Sequence, residues 1–161
     1  MKPTRIADRN ISQRGEKRVI GRTDSVDFPD LSLADVRAKI DTGAYTSSIH
    51  CYNIKVTKGR LIFYLPAHKG EKRKRFVAKK FELKSIKNSF GQTEMRYVIK
   101  TRIVIFGKAF QGEFSLADRE KMRYPVLLGR KLLRNRFLVD VSLEDLSLSQ
   151  KRTTAAEATL H

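Results

Sequence analysis

The sequence predicts an all-β fold, either a barrel or a sandwich, within one domain. Short segments rich in Val, Ile, Phe and Tyr recur along the chain and are separated by Gly, Pro, Asn and Asp. Several of these segments alternate apolar and charged residues, which is typical of half-buried antiparallel strands. The length of 161 residues fits a single core of ordinary size.

The predicted elements follow one another within a domain that we place at residues 17–143. Residues 1–16 are polar and unperiodic and are expected to form a flexible basic tail. Residues 129–136 pair two leucines with four cations and predict one short helix, and residues 144–161 lack a packing stripe and are expected to form a polar tail. β-Branched and aromatic residues predict strands over 17–22, 36–40, 49–56, 61–65, 76–83, 95–106, 110–116 and 137–140.

The formal net charge of +17 is the strongest compositional feature. At this size it implies attraction to polyanions such as nucleic acid, the ribosome or acidic polypeptide segments. No apolar run is long enough to span a bilayer, and the first residues lack the apolar core of a signal peptide. We therefore expect a cytoplasmic protein without a membrane partner.

The residues that bind soft metals are few. The single cysteine, Cys51, excludes an internal disulfide, and its neighbour His50 would point to the opposite face of a strand, which disfavours a thiol–imidazole nucleophile. The other histidines are His68 and His161, and the chain has no His-Glu-x-x-His pattern and no glycine-rich phosphate loop. We predict no zinc site, no ATP site and no other cofactor.

One segment, residues 38–49, combines an apolar strand, an acid at its end, a tight turn and a second strand. The turn is Asp41-Thr42-Gly43-Ala44, in which glycine permits close backbone approach, threonine offers a hydroxyl and alanine leaves space beside the carboxylate. Two carboxylates about 3 Å apart share one proton, so one activates a water while the other polarises a carbonyl. Because the chain has one Asp-Thr-Gly, a homodimer must supply the pair; the alternative is an ordinary turn.

A second segment, residues 124–133, is an apolar run that ends in Leu127-Leu128-Gly129-Arg130 and precedes the predicted helix. Together with residues 40–44 it resembles retroviral-type aspartic proteases, in which such a segment threads beside the catalytic loop. Residues 17–143 as a whole resemble the bacterial retropepsin-like aspartic proteases that are often labelled ATP-dependent zinc proteases. The resemblance implies a closed six-stranded acid-protease barrel, catalysis by Asp41 and hydrolysis of a peptide or protein substrate.

The resemblance also implies a flap, a β-hairpin that closes over the substrate. The candidate flap residues are Asn88, Ser89, Phe90 and Gly91, which lie between two predicted strands. The apolar side chains that could line the substrate groove are those of Ile49, Ile86, Phe90 and Val126.

In one respect the sequence departs from the retroviral pattern. Retroviral chains place acids after the Asp-Thr-Gly-Ala, and one of them pairs with the arginine that follows the downstream glycine. Here residues 45–48 are Tyr-Thr-Ser-Ser, so Arg130 needs another partner. Asp140, a backbone carbonyl or an acidic substrate side chain would serve.

Three functions remain open: a dimeric aspartic peptidase, a catalytically silent barrel used as a binding module, and a basic ribosome- or RNA-associated protein. The densest charge lies at residues 69–75 with Lys79 and Lys80. The resemblance further suggests a context beside ligases that add glutamates to proteins. A basic peptidase that acts on Glu-rich protein segments is therefore a coherent expectation.

Overall fold

In a computed structural model of the chain, residues 16–67, 70–88, 90–118 and 123–160 are described. They contain a 3₁₀ turn (Pro29–Leu31) and two α-helices, α1 (Arg130–Leu133) and α2 (Leu146–Thr159). The strands are β1 (Arg18–Ile20), β2 (Thr23–Phe28), β3 (Leu33–Ile40), β4 (Ser47–His50), β5 (Tyr52–Thr57), β6 (Arg60–Leu65), β7 (Lys74–Ala78), β8 (Glu82–Lys87), β9 (Thr93–Ile105), β10 (Lys108–Ala117), β11 (Val126–Leu128) and β12 (Phe137–Val139).

Six strands close into a barrel. The hydrogen-bonded order is β10-β4-β11-β3-β2-β9, and the antiparallel pairing of β9 with β10 joins the two ends. Strand β8 pairs with the outer part of β9 as a hairpin beyond the ring. Closure leaves no open edge within the ring, and the prediction of an all-β, six-stranded barrel is confirmed.

Inward-facing aromatic and aliphatic side chains fill the barrel. Phe28 and Phe114 are fully buried and meet edge to face, with ring centroids 5.2 Å apart. They pack with buried aliphatic residues from each side of the ring, among them Val26, Ile40, Ile49, Ile103, Leu116 and Val126. The alternation of apolar and polar residues along the strands therefore reports the inside and outside of the barrel.

Two smaller sheets attach to the barrel. Strands β5, β6 and β7 form an antiparallel sheet whose inner face carries Leu61, Phe63 and Leu65, all buried. Strands β1 and β12 pair in parallel, with Arg18 opposite Phe137 and Ile20 opposite Val139.

Several predicted boundaries were wrong. The predicted strand 49–56 is divided at Cys51 into β4 and β5, and the predicted strand 76–83 is broken at Lys79 and Lys80. Strand β2 was missed because its sequence, Thr-Asp-Ser-Val-Asp-Phe, contains two acids, and acids are depleted in strands. The burial of β2 depends on contacts with residues distant in the sequence, which the strand propensities of its own residues do not reflect.

Helix α2 corrects the prediction of a polar tail over 144–161. Asp24, fully buried on β2, accepts hydrogen bonds from the backbone N–H groups of Ser147 (2.9 Å) and Leu148 (3.0 Å) in the first turn of α2. Lys151 in the next turn donates to Asp27 and Asp35 at 2.9 and 2.8 Å. The position of this helix is therefore fixed by a capping carboxylate on strand β2 and not by an apolar stripe. Residues 1–15 of the predicted N-terminal tail lie outside the described residues.

We predict that Asp24→Ala lowers the free energy of unfolding by about 2 kcal/mol, because it leaves buried N–H donors without an acceptor. Urea denaturation followed by circular dichroism measures the change. Glu157→Ala, on the exposed face of α2, is the control and should stay within about 0.5 kcal/mol of the wild type. Equal stability of the Asp24 and Glu157 variants would contradict the capping role.

Candidate active site

The Asp41 loop begins where β3 leaves the barrel wall. Asp41 is half-buried, and its backbone N–H donates to the carbonyl of Leu128 at 2.9 Å, which extends the parallel pairing of β3 with β11 by one bond. Its carboxylate oxygen Oδ1 accepts from the N–H of Gly43 at 3.1 Å, and its carbonyl accepts from Ala44 at 3.2 Å. The turn therefore holds the carboxylate at the surface end of β3, with Thr42 exposed beside it.

The second predicted segment lies directly against this loop. Arg130 and Lys131 donate their backbone N–H groups to the carbonyls of Ala44 (2.8 Å) and Tyr45 (3.0 Å). The backbone N–H of Gly129 donates to the buried hydroxyl of Ser47 at 2.9 Å. The structure thus brings together two segments that are more than eighty residues apart in the sequence.

Gly129 is required by this close crossing. A Cβ atom at this position would lie 2.8 Å from the carbonyl oxygen of Tyr45 and 2.9 Å from that of Ala44. Both oxygens are backbone atoms that already accept hydrogen bonds from α1, so neither can move away without loss of a bond. Only glycine permits the two backbones to approach this closely.

Arg130 finds its partner in the backbone. Its guanidinium Nη1 donates to the carbonyl of Thr42 at 3.0 Å, and its charged carbon lies 5.7 Å from the centre of the Tyr45 ring. Asp140 instead accepts from the backbone and the hydroxyl of Ser142. Of the three partners considered from the sequence, the backbone carbonyl is the one that the structure contains.

Glu113 of β10 holds α1 from the other side. It accepts from Lys131 at 2.5 Å, and Lys84 of β8 lies 3.4 Å away. The hydrogen bond from Lys131 is the main cause that lowers the pKa of Glu113 below its ordinary value of 4.5, although burial opposes it. Sequence reasoning missed Glu113, because the three residues lie on three separate elements.

The predicted flap is the turn of the β8–β9 hairpin. The side-chain oxygen of Asn88 accepts from the N–H groups of Phe90 (3.0 Å) and Gln92 (2.9 Å), and Gly91 has a φ of 79°. Phe90 is 90% exposed, whereas Ser89 lies outside the described residues. Among the described residues no hydrogen bond joins this turn to the Asp41 loop.

The predicted groove residues divide into two groups. Ile49 and Val126 are buried partners in the barrel wall, and both also line a pocket together with Val36, His50 and Pro125. Ile86 is half-buried on the β8–β9 hairpin. Cys51 is fully buried, and burial raises the pKa of its thiol above the usual range, as expected of a structural cysteine.

Two features of the described residues concern metal ions and membranes. No group of three or more His, Cys, Asp or Glu side chains in that part of the chain is arranged to hold a metal ion. No helix there is long and apolar enough to cross a membrane.

Comparisons with known proteins give three kinds of match. Residues 19–150 match the family model described as RimB-like, retropepsin-like aspartic endopeptidase RimB. A crystal structure of a Legionella pneumophila protein of unknown function has a TM-score of 0.68 and 26% identity, and covers 82% of this chain and 99% of its own.

Curated relatives extend the comparison. Proteins of Shewanella pealeana and Desulfotalea psychrophila, each named probable alpha-L-glutamate ligase, are 36% and 32% identical over 84% and 83% of this chain. These matches occupy 31% and 30% of the relatives, so the chain spans about three tenths of the length of each.

Glu113→Gln should lower the free energy of unfolding at pH 7 by about 1 kcal/mol, because it removes the charge that pairs with Lys131. Since the folded-state pKa is lowered, this contribution is complete above pH 4.5 and disappears as pH falls through the folded-state value. Urea denaturation of the wild type and the Glu113→Gln variant between pH 7 and pH 3 tests whether their free energies of unfolding converge at low pH. A difference that is constant over this range would refute the charge pairing.

Proposed function

Because this chain belongs to the RimB-like family of retropepsin-like aspartic endopeptidases, we propose that it is one subunit of a homodimeric aspartic endopeptidase. The observation that carries the proposal is the single Asp41 carboxylate, held at the surface end of β3 by the backbone of the β11–α1 segment. A half-site of this kind provides one acid in a fixed position. The reaction needs two, and the second is Asp41 of a second copy.

The two carboxylates would divide the chemistry. One takes a proton from a water whose oxygen attacks the carbonyl carbon of the peptide bond, while the protonated one gives its proton to the carbonyl oxygen. The tetrahedral adduct then collapses and returns one hydroxyl proton to the carboxylate that had donated it. The C–N bond breaks, and the amine leaves with the proton that the other carboxylate had taken from the water. Thr42, Gly43 and Ala44 position the carboxylate in this scheme, and the β8–β9 hairpin covers the substrate.

The relatives' names support an acidic substrate. A chain that matches part of proteins named alpha-L-glutamate ligases, and that carries a net charge of +17, is suited to glutamate-rich segments. The Arg130 guanidinium lies beside the Asp41 loop, where an acidic side chain of the substrate would be attracted. We therefore propose Glu-rich polypeptides as the substrate class.

Asp41→Asn should reduce cleavage of a susceptible peptide by about 10³-fold or more, because asparagine can neither accept nor deliver the shared proton. Glu157→Gln is the matched control and should cleave at the wild-type rate. Equal mixing of wild type with the Asp41 variant at constant total concentration should leave about one quarter of the activity, since only dimers with two aspartates work. A remainder of one half would show that each chain acts alone, and a dimer without activity would favour a binding module.

A Glu-rich peptide should be cleaved about tenfold faster, as kcat/KM, than the same peptide with Gln at each Glu position at low ionic strength. The ratio should fall towards one as salt is raised, because exposed charges are screened over a few ångströms in concentrated salt. Equal rates on both peptides at low salt would remove the acidic-substrate proposal and leave the peptidase proposal intact.

A further inference from the structure

The sheet of strands β5–β7, with its connecting residues, carries a large part of the excess charge. We call residues 52–67 and 70–80 the basic sheet. Glu71 is its one acid among these residues. Its nine cations are Lys55, Lys58, Arg60, Lys72, Arg73, Lys74, Arg75, Lys79 and Lys80.

Within the described part of the chain, no carboxylate pairs with these cations. Every ion pair among the described residues lies outside the basic sheet, for example Arg102 with Asp30 and Lys131 with Glu113. Within the sheet, Lys74 donates to the carbonyl of Ser32, and the Arg73 guanidinium lies 3.4 Å from the centre of the Tyr52 ring. The nine positive charges therefore repel one another, and binding of an external anion would reduce this repulsion.

The outer face of the sheet carries a row of aromatic rings and positively charged side chains. The register aligns Tyr52 with Tyr64 and Tyr64 with Arg75 across the three strands. An irregularity in β5, where Asn53 has a φ of 50°, places Lys55 on this same face although it follows Tyr52 by three residues. Both tyrosines are half-buried and Arg75 is exposed, while the neighbouring Phe63 points into the core.

The Tyr64 ring is available to a ligand. In the described part of the chain it has no ring contact, hydrogen bond or cation lying over its face. A half-buried aromatic ring within a field of cations is the arrangement that binds single-stranded nucleic acid, because bases stack on rings while Lys and Arg contact phosphates. A poly-anionic peptide would use the charges but has no group that stacks on this row.

We propose that the outer face of the basic sheet binds single-stranded RNA, with Tyr64 stacking on a base and Arg73 and Arg75 contacting phosphates. Binding of this kind tolerates many sequences, since every base has a π-face. The site is separate from Asp41 and requires neither the proposed peptidase activity nor its substrate.

Fluorescence anisotropy with labelled twelve-nucleotide oligo(U) and oligo(A) tests the proposal. The Arg73→Glu/Arg75→Glu variant should bind about 30-fold more weakly at physiological salt, and its log–log salt slope should fall by about two. The matched control, Arg134→Glu/Arg152→Glu, changes net charge equally at exposed positions away from the sheet and should lose less than about threefold.

The tyrosine gives a second, charge-independent readout. Tyr64→Ala should weaken RNA binding about tenfold, whereas Tyr64→Phe, which keeps the ring, should bind like the wild type. Thermal melting establishes that each variant is folded. Equal losses in the two arginine pairs, or wild-type affinity for Tyr64→Ala, would overturn the assignment. So would tighter binding of poly-glutamate or of duplex RNA to the same surface.

Discussion

The crossing of the β11–α1 segment over the Asp41 loop is the contact on which the closed barrel and the position of the Asp41 carboxylate both depend. The N–H groups of Asp41, Gly129, Arg130 and Lys131 are all used in this crossing. Three of its hydrogen bonds join main chain to main chain, and two involve a side chain, namely the Ser47 hydroxyl and the Arg130 guanidinium. A change that separates these segments therefore opens the barrel wall and displaces the carboxylate together.

The parts of this arrangement that sequence reasoning predicted are those in which a residue's local role has a recognisable pattern. Asp41 and Gly129 are examples, since an acid after an apolar strand and a glycine after an apolar run each have a local signal. For Arg130 the sequence left three kinds of hydrogen-bond partner open. It could not identify the one used, because the carbonyl of Thr42 comes within reach of the guanidinium only when the loop has folded.

Helix α2 and strand β2 were missed for one shared physical reason. Asp24 is unfavourable in a strand by propensity, and residues 146–159 have no apolar stripe, so each reads as irregular when taken alone. Together they satisfy one another, because the buried carboxylate needs donors and the first turn of the helix needs acceptors. Because the two partners lie more than 120 residues apart, the sequence around either one does not indicate this interaction.

The Asp41 loop and the basic sheet differ in the kind of interaction that determines their properties. Most of the hydrogen bonds that fix the Asp41 loop join neutral groups of the backbone, and such bonds neither titrate nor weaken by ionic screening. The basic sheet has the opposite character, since its cations are exposed and unpaired among the described residues. Salt should therefore weaken the attraction of a polyanion far more than it changes the structure of the Asp41 loop. Ionic strength can thus separate polyanion binding from the integrity of this loop.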